Sequence, residues 1–210
     1  MRPLAVLRPE PGNAATAQAI EARGRRAIRL PLFTVRPVAW DVPDPARFDA
    51  LVVTSANAFR HGGAGLDALR RLPVHAVGAA TAAAARVAGF VVVQVGSSDA
   101  AALLGELAGK AVLHLAGREH RSLAGVRTAI VYASEEAAPD LSPLHGAVAL
   151  VHSPRAAALL TARITERDAI ALAAISAAAR VAAGEGWAAA AVADVPTDAA
   201  LIDAAIGLSD

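Results

Sequence analysis

The sequence predicts an α/β fold of two similar lobes with parallel sheets, joined by a two-stranded antiparallel linker. Three observations predict it. Val53-Thr54-Ser55-Ala56-Asn57-Ala58 recurs in type 98 residues on, as Val151-His152-Ser153-Pro154-Arg155-Ala156, and Val77-Gly78 recurs at the same offset as Ile175-Ser176. Asp99 is echoed 99 residues on by Asp198. An offset kept to within one residue over three elements suggests a duplicated unit. Short apolar runs alternate with Ala-rich helical stretches, which is the pattern of βαβ units. Two extended segments, 34–40 and 128–136, flank the middle copy. Lobe one is therefore expected over 1–33 and 137–210, and lobe two over 41–127. Polar turns on one rim of each lobe predict a ligand cleft between them.

Residues 4–7 are an apolar run closed by Arg8-Pro9-Glu10-Pro11-Gly12, a buried strand and its loop. Residues 14–23 have helical spacing and stop at Gly24, and 26–32 return as a second strand. Residues 34–40 and the Pro cluster behind them read as an exposed linker strand. Residues 51–54 open lobe two, with Ser55 as a helix N-cap. A strand at 74–77, a helix at 81–88 ending at Gly89, and a strand at 91–95 follow. Ser97 and Ser98 cap a helix over 99–107, and 111–115 form a fourth strand. Residues 128–134 are extended and partner 34–40. Residues 148–151 begin the next unit, where Ser153 at the N-cap and Pro154 at N1 are a strong helix start. Residues 169–175, 178–183, 188–193 and 197–206 complete strand, helix, strand, helix.

The chain has 210 residues, 55% hydrophobic, and a net charge of +1. That supplies ample core and no basic excess for bulk nucleic-acid binding. Aromatic content of 3% argues against base-stacking surfaces. Cysteine is absent, which excludes disulfides, thiol catalysis and thiolate metal sites. The apolar run at 4–7 is too short for a signal peptide, and no stretch approaches a membrane span. A cytoplasmic protein is expected. The six histidines lack the spacing of a helical metal pair, so no metal site is expected. Gly63-Ala64-Gly65-Leu66-Asp67-Ala68 mimics a dinucleotide fingerprint but trails Thr54 by nine positions, whereas such a loop directly follows its strand. It reads as a flexible loop. The basic cluster over 23–29 reads as solvated surface.

Short motifs run along nearly the whole chain: Leu7-Arg8-Pro9, residues 51–58, Val77-Gly78-Ala79-Ala80-Thr81-Ala82, Gly117 with Arg121, and Val131-Tyr132. His152-Ser153-Pro154-Arg155-Ala156, Ala174-Ile175-Ser176, Gly186-Trp187 and Val192-Ala193-Asp194-Val195-Pro196 complete the set. Each piece alone is weak; their order and spacing are specific. In them the chain resembles the uroporphyrinogen-III synthase family. The resemblance implies two flavodoxin-like lobes with the ligand in the cleft. It implies closure of hydroxymethylbilane with inversion of its last pyrrole, without a cofactor. The implied partners are hydroxymethylbilane and uroporphyrinogen III, with a transient contact to hydroxymethylbilane synthase. A monomer is expected. Two departures stand out. The segment between Arg121 and Tyr132 is shorter than in the family, so lobe two is expected to lack a helix. The Thr81 hydroxyl has no counterpart at Ala179.

By the resemblance the substrate carries eight carboxylates on four pyrroles. Ligands of parallel α/β sheets sit beyond the carboxyl ends of the strands. There the chain offers Arg8, Ser55, Ala56, Asn57, Gly78, Thr81, Gly117, Arg121, Ser153, Pro154, Arg155 and Ser176 as substrate-binding candidates. Helix N-termini present free N–H groups and partial positive charge, and Arg adds bidentate recognition. The plainer alternative is that Ser55, Ser153 and Ser176 only cap helices. Tyr132, the single tyrosine, is the catalytic candidate. The resemblance implies that a Tyr there helps expel the hydroxyl; the alternative is a linker aromatic packed on Trp40. His120 and His152 fall at strand ends, where a solvated loop histidine is the bland expectation. A second function class is a non-catalytic tetrapyrrole- or anion-binding regulatory module on the same scaffold, since fold does not fix function.

Overall fold

The structure, a computed structural model, describes residues 1–96 and 100–210, apart from the side chains of 100–102. The expected caps Ser97 and Ser98 and the repeat position Asp99 lie outside the described residues. In chain order the elements begin β1 (Leu4–Val6), α1 (Gly12–Glu21), β2 (Ala27–Arg29), β3 (Phe33–Pro37), β4 (Ala50–Val53) and α2 (Asn57–His61). Next come β5 (Val74–Val77), α3 (Ala79–Val87), β6 (Val92–Gly96), α4 (Ala100–Glu106), β7 (Val112–Gly117) and β8 (Arg127–Glu136). The chain ends with β9 (Val148–Val151), α5 (Pro154–Arg163), β10 (Ala171–Ala174), α6 (Ala177–Ala183), β11 (Ala189–Val192) and α7 (Asp198–Gly207). They fall into two units, one of Met1–Thr34 with Glu136–Asp210, the other Val35–Glu135.

The first unit holds a parallel sheet in the order β11-β10-β9-β1-β2. β1, β9 and β10 are buried at every residue, as a sheet covered on both faces requires. Alternation along the strands divides them between two cores. Ala5, Ala149, Val151 and Leu172 meet Ala156, Leu160 and Ala179 of α5 and α6. Leu4, Val6, Val148, Leu150 and Ala173 meet Ile20, Leu201 and Ile202 of α1 and α7.

The second unit's sheet runs β3-β8-β7-β4-β5-β6, with β4 to β8 paired in parallel. β3 lies on its edge beside β8. Val38 donates its N–H to the Val131 carbonyl and Ala137 donates to that of Leu32, the spacing of an antiparallel pair. One face packs Leu51, Val53, Val74, Leu113 and Leu115 onto Ala58, Phe59, Ala82 and Ala85 of α2 and α3. The other is thinner: Ala50, Val52 and Val112 meet Leu107, with Leu104, Leu123 and Val126 at its margin.

Position by position, β6-β5-β4-β7-β8 matches β11-β10-β9-β1-β2. The chain enters the two sheets at different points, so one order is a circular permutation of the other. β1 reaches β2 through α1. β7 reaches β8 through residues 118–126, which hold no helix. Parallel crossovers usually need a dozen residues or more. Here Leu123 and Val126 cover part of the face that a helix would occupy.

Two local expectations change. α2 begins at Asn57 with Ala56 as N-cap, so Ser55 lies one place outside; its Oγ accepts the Asn57 N–H at 3.2 Å. Residues Gly63–Leu69 form a 3-10 helix, not a flexible loop, because Leu66 and Leu69 are drawn into the core. The cluster over 23–29 lies at the surface, where Arg23 pairs with Asp203, Arg25 with Asp210 and Arg29 with Glu10. Among the described residues no helix is long and apolar enough to cross a membrane.

Candidate active site

A doubly wound sheet opens a crevice where neighbouring strands send their connections to opposite faces. In the first unit that point lies between β1 and β9, because α1 packs on one face and α5 on the other. Arg8 follows β1, and His152 and Ser153 follow β9. Asn13, fully buried in the first turn of α1, fixes the β1 end. Its Nδ2 donates to the carbonyls of Val6 (2.7 Å) and Arg8 (2.9 Å), and its Oδ1 accepts from Arg29 Nε.

Asp198, at the start of α7, is the hub of this crevice. Its carboxylate accepts the Thr16 hydroxyl at 2.8 and 2.9 Å, His152 Nε2–H at 2.8 Å and Arg8 Nη1–H at 3.3 Å. Burial alone would raise its pKa. The hydrogen bonds from His152 and Thr16 and the charges of His152 and Arg8 together outweigh that and hold it below the ordinary carboxylate value. The His152 side chain is 9% exposed, not a solvated loop histidine, and its buried Nδ1 has no hydrogen-bond partner among the described residues. Ser153 caps α5, its Oγ accepting the Ala156 N–H, with Pro154 at N1. Ser176 caps α6 in the same way through the Ala179 N–H. Arg155 is exposed, its guanidinium carbon 4.3 Å from the centre of the Phe33 ring.

In the second unit the corresponding point lies between β4 and β7. The half-buried Tyr132 ring, on β8, lies across Gly117 at the end of β7. A Cβ on Gly117 would stand 2.6 Å from two ring carbons and 2.9 Å from the phenol oxygen, so the ring can lie there only while this position is glycine. The His61 ring is 6.4 Å from the Tyr132 ring, centre to centre. His114 is 1% exposed on β7, its Nε2 3.4 Å from Thr54 Oγ1 and its Nδ1 without a hydrogen-bond partner among the described residues. Burial first, and then the charge of His120, push its pKa down to about 4. His120 Nδ1 donates to the Gly117 carbonyl at 2.9 Å. Gly78 precedes α3 at φ +83°, which suits glycine and stands in place of a capping side chain. Thr81 is 4% exposed in the first turn of α3. Asn57 is half-buried, and Arg121 is exposed in the 118–126 segment. Among the described residues no group of three or more His, Asp or Glu is placed to hold a metal ion.

The sequence model of the uroporphyrinogen-III synthase HemD family matches residues 14–203. The chain belongs to that family. Its members carry out the cyclisation that gives uroporphyrinogen III, and this chain is accordingly a cyclase. The fold is similar to that of uroporphyrinogen-III synthetase from Helicobacter pylori, with a TM-score of 0.72 at 18% identity over 99% of this chain and 100% of that one. It is also similar to a mutant uroporphyrinogen III synthase from the extremely thermophilic bacterium Thermus thermophilus, with a TM-score of 0.53 at 15% identity over 98% and 97% of the two chains. No curated protein sequence matches it.

Sequence reasoning missed Asp198 as a member of the site, as well as Thr16, Asn13 and His114. Asp198 was visible as a repeat position and a helix-start acid. Nothing local in the sequence joins it to Arg8, 190 residues away.

Proposed function

We propose that this family member closes hydroxymethylbilane to uroporphyrinogen III without a cofactor, with Tyr132 as the acid. Family membership carries the activity. The observation that carries the chemistry is the Tyr132 ring on Gly117, which puts a phenol oxygen at the carboxyl end of β7. A phenol donates a proton without being ionised at neutral pH. In this reading the Tyr132 O–H protonates the departing hydroxyl as its C–O bond breaks, and water and an azafulvene cation result. The substituted carbon of the last pyrrole attacks the cation to give a spiro intermediate. Fragmentation and reclosure at the free carbon invert the ring. The proton lost from that carbon restores the phenol, so the net change is loss of one water.

The substrate's carboxylates require cations and N–H donors. The rim of the first unit offers Arg8, Arg155 and the N-termini at Ser153-Pro154 and Ser176. That of the second offers Asn57, Gly78, Thr81, Gly117, Arg121 and the main chain at Ser55-Ala56. Each set meets the requirement for preorganised anion contacts. A bilane that closes spontaneously to isomer I favours direct transfer from hydroxymethylbilane synthase to a monomeric cyclase. The test is a coupled assay that separates isomer III from isomer I. Isomer III in excess of the uncatalysed mixture is expected; isomer I alone would leave the chain a binding module.

A further inference from the structure

We propose that Asp198 is a positioning residue for this reaction: with Gly12, it holds the Arg8 guanidinium at the β1–β9 crevice with one hydrogen-bonding edge open to a substrate carboxylate. The inference rests on the reading of Arg8 as a carboxylate ligand.

Two independent contacts fix the guanidinium. Nη1 is bound on one side, to Asp198 Oδ1 at 3.3 Å and Thr16 Oγ1 at 3.5 Å. The rest of the group lies against Gly12, where a Cβ would come within 2.5 Å of Nε, 2.7 Å of Cζ and 2.9 Å of Nη2. Among the described residues Nε and Nη2 donate to no acceptor. That pair is the edge that grips a carboxylate through two parallel bonds. The Arg8 side chain is 35% exposed, so the guanidinium is within reach of solvent and ligand.

Asp198 would cancel the charge of Arg8 if Arg8 were its only partner. It is shared instead with Thr16 and with His152, whose Nε2–H points at the same oxygen. Thr197 caps α7 behind it, and the helix N-terminus favours the negative charge. The hub is therefore anchored from α1, β9 and α7 without Arg8. Holding a long side chain in its binding rotamer before the ligand arrives removes part of the ordering cost of binding.

Gly12→Ala and Asp198→Asn test this against Arg8→Ala. Gly12 has no positive φ, so the added methyl acts on the Arg8 side chain and not on the backbone. Both variants should raise KM for hydroxymethylbilane about tenfold, as for one lost charge-assisted contact, with kcat within about twofold. Neither should raise KM further in an Arg8→Ala background, because a residue acting through Arg8 has nothing left to position. If Arg8→Ala alone leaves KM unchanged, the reading of Arg8 as a ligand fails. If Arg8→Ala raises KM but folded Gly12→Ala does not, the positioning proposal fails while that reading stands. Additive losses for Asp198→Asn and Arg8→Ala would also overturn it. Should Asp198→Asn not fold, Gly12→Ala decides alone.

Discussion

At the residue scale, the value of Tyr132 lies in one O–H group. Tyr132→Phe keeps the ring over Gly117 and removes the donor. The isomer III rate at saturating substrate should fall about 10²-fold, the low end for a general acid, because the bilane loses water unaided. Product affinity and thermal midpoint should stay put; an unchanged rate would reduce Tyr132 to packing. His114 bears on stability instead. Its folded pKa of about 4 lies below the ordinary 6.5. Below pH 6.5 the unfolded chain takes up a proton that the folded chain refuses. The contribution is therefore whole above pH 6.5, is lost as pH falls towards 4, and saturates below that, at roughly 3 kcal/mol at most. In urea titrations His114→Leu should be less acid-sensitive than the wild type between pH 7 and 4.5. Parallel pH dependences would mean that His114 titrates normally.

At the element scale, the two copies of the repeat solve the same local problem differently. Ser153 caps α5 with its side chain, whereas Ala56 holds the cap position of α2 and Ser55 sits one place before it. Ser153→Ala should therefore cost about 1 kcal/mol in chemical denaturation, and Ser55→Ala less. Equal losses would show that the Ser55–Asn57 bond is worth a full cap. β7 and β8 meet at Gly117 without a helix between them. Gly117→Ala would push the Tyr132 ring from its place. Isomer III formation should drop at least as far as in Tyr132→Phe. Full activity would mean that the ring has another productive position.

At the scale of the whole molecule, the chemistry asked of this chain is proton transfer and charge stabilisation. Both are within reach of a phenol, guanidinium groups and main-chain N–H donors. The chain has no cysteine to offer a metal. Exhaustive treatment with EDTA, followed by assay in metal-free buffer, should leave the isomer III rate unchanged. Activity lost to EDTA and restored by one divalent cation would contradict the cofactor-free reading.

Leu51-Val52-Val53 and Val148-Ala149-Leu150-Val151 announce buried parallel strands, and Ser153-Pro154 announces a helix. In each case the signal is carried by neighbours in the chain, through periodicity, fixed φ and a short hydrogen bond. The family was legible for a related reason, since its motifs are short turns whose residues must stand in order. The short 118–126 segment likewise disclosed the missing helix by its length. Tertiary structure alone decided that Asp198 joins Arg8, that His114 loses its proton affinity, and that Tyr132 lies on Gly117. It also decided that Gly63–Leu69 winds inward. Those outcomes depend on which strands become neighbours, and strand order is set by the packing of two-faced sheets between helices rather than by local preference. A buried carboxylate or imidazole takes its properties from whatever that packing brings within hydrogen-bonding distance, however remote in sequence.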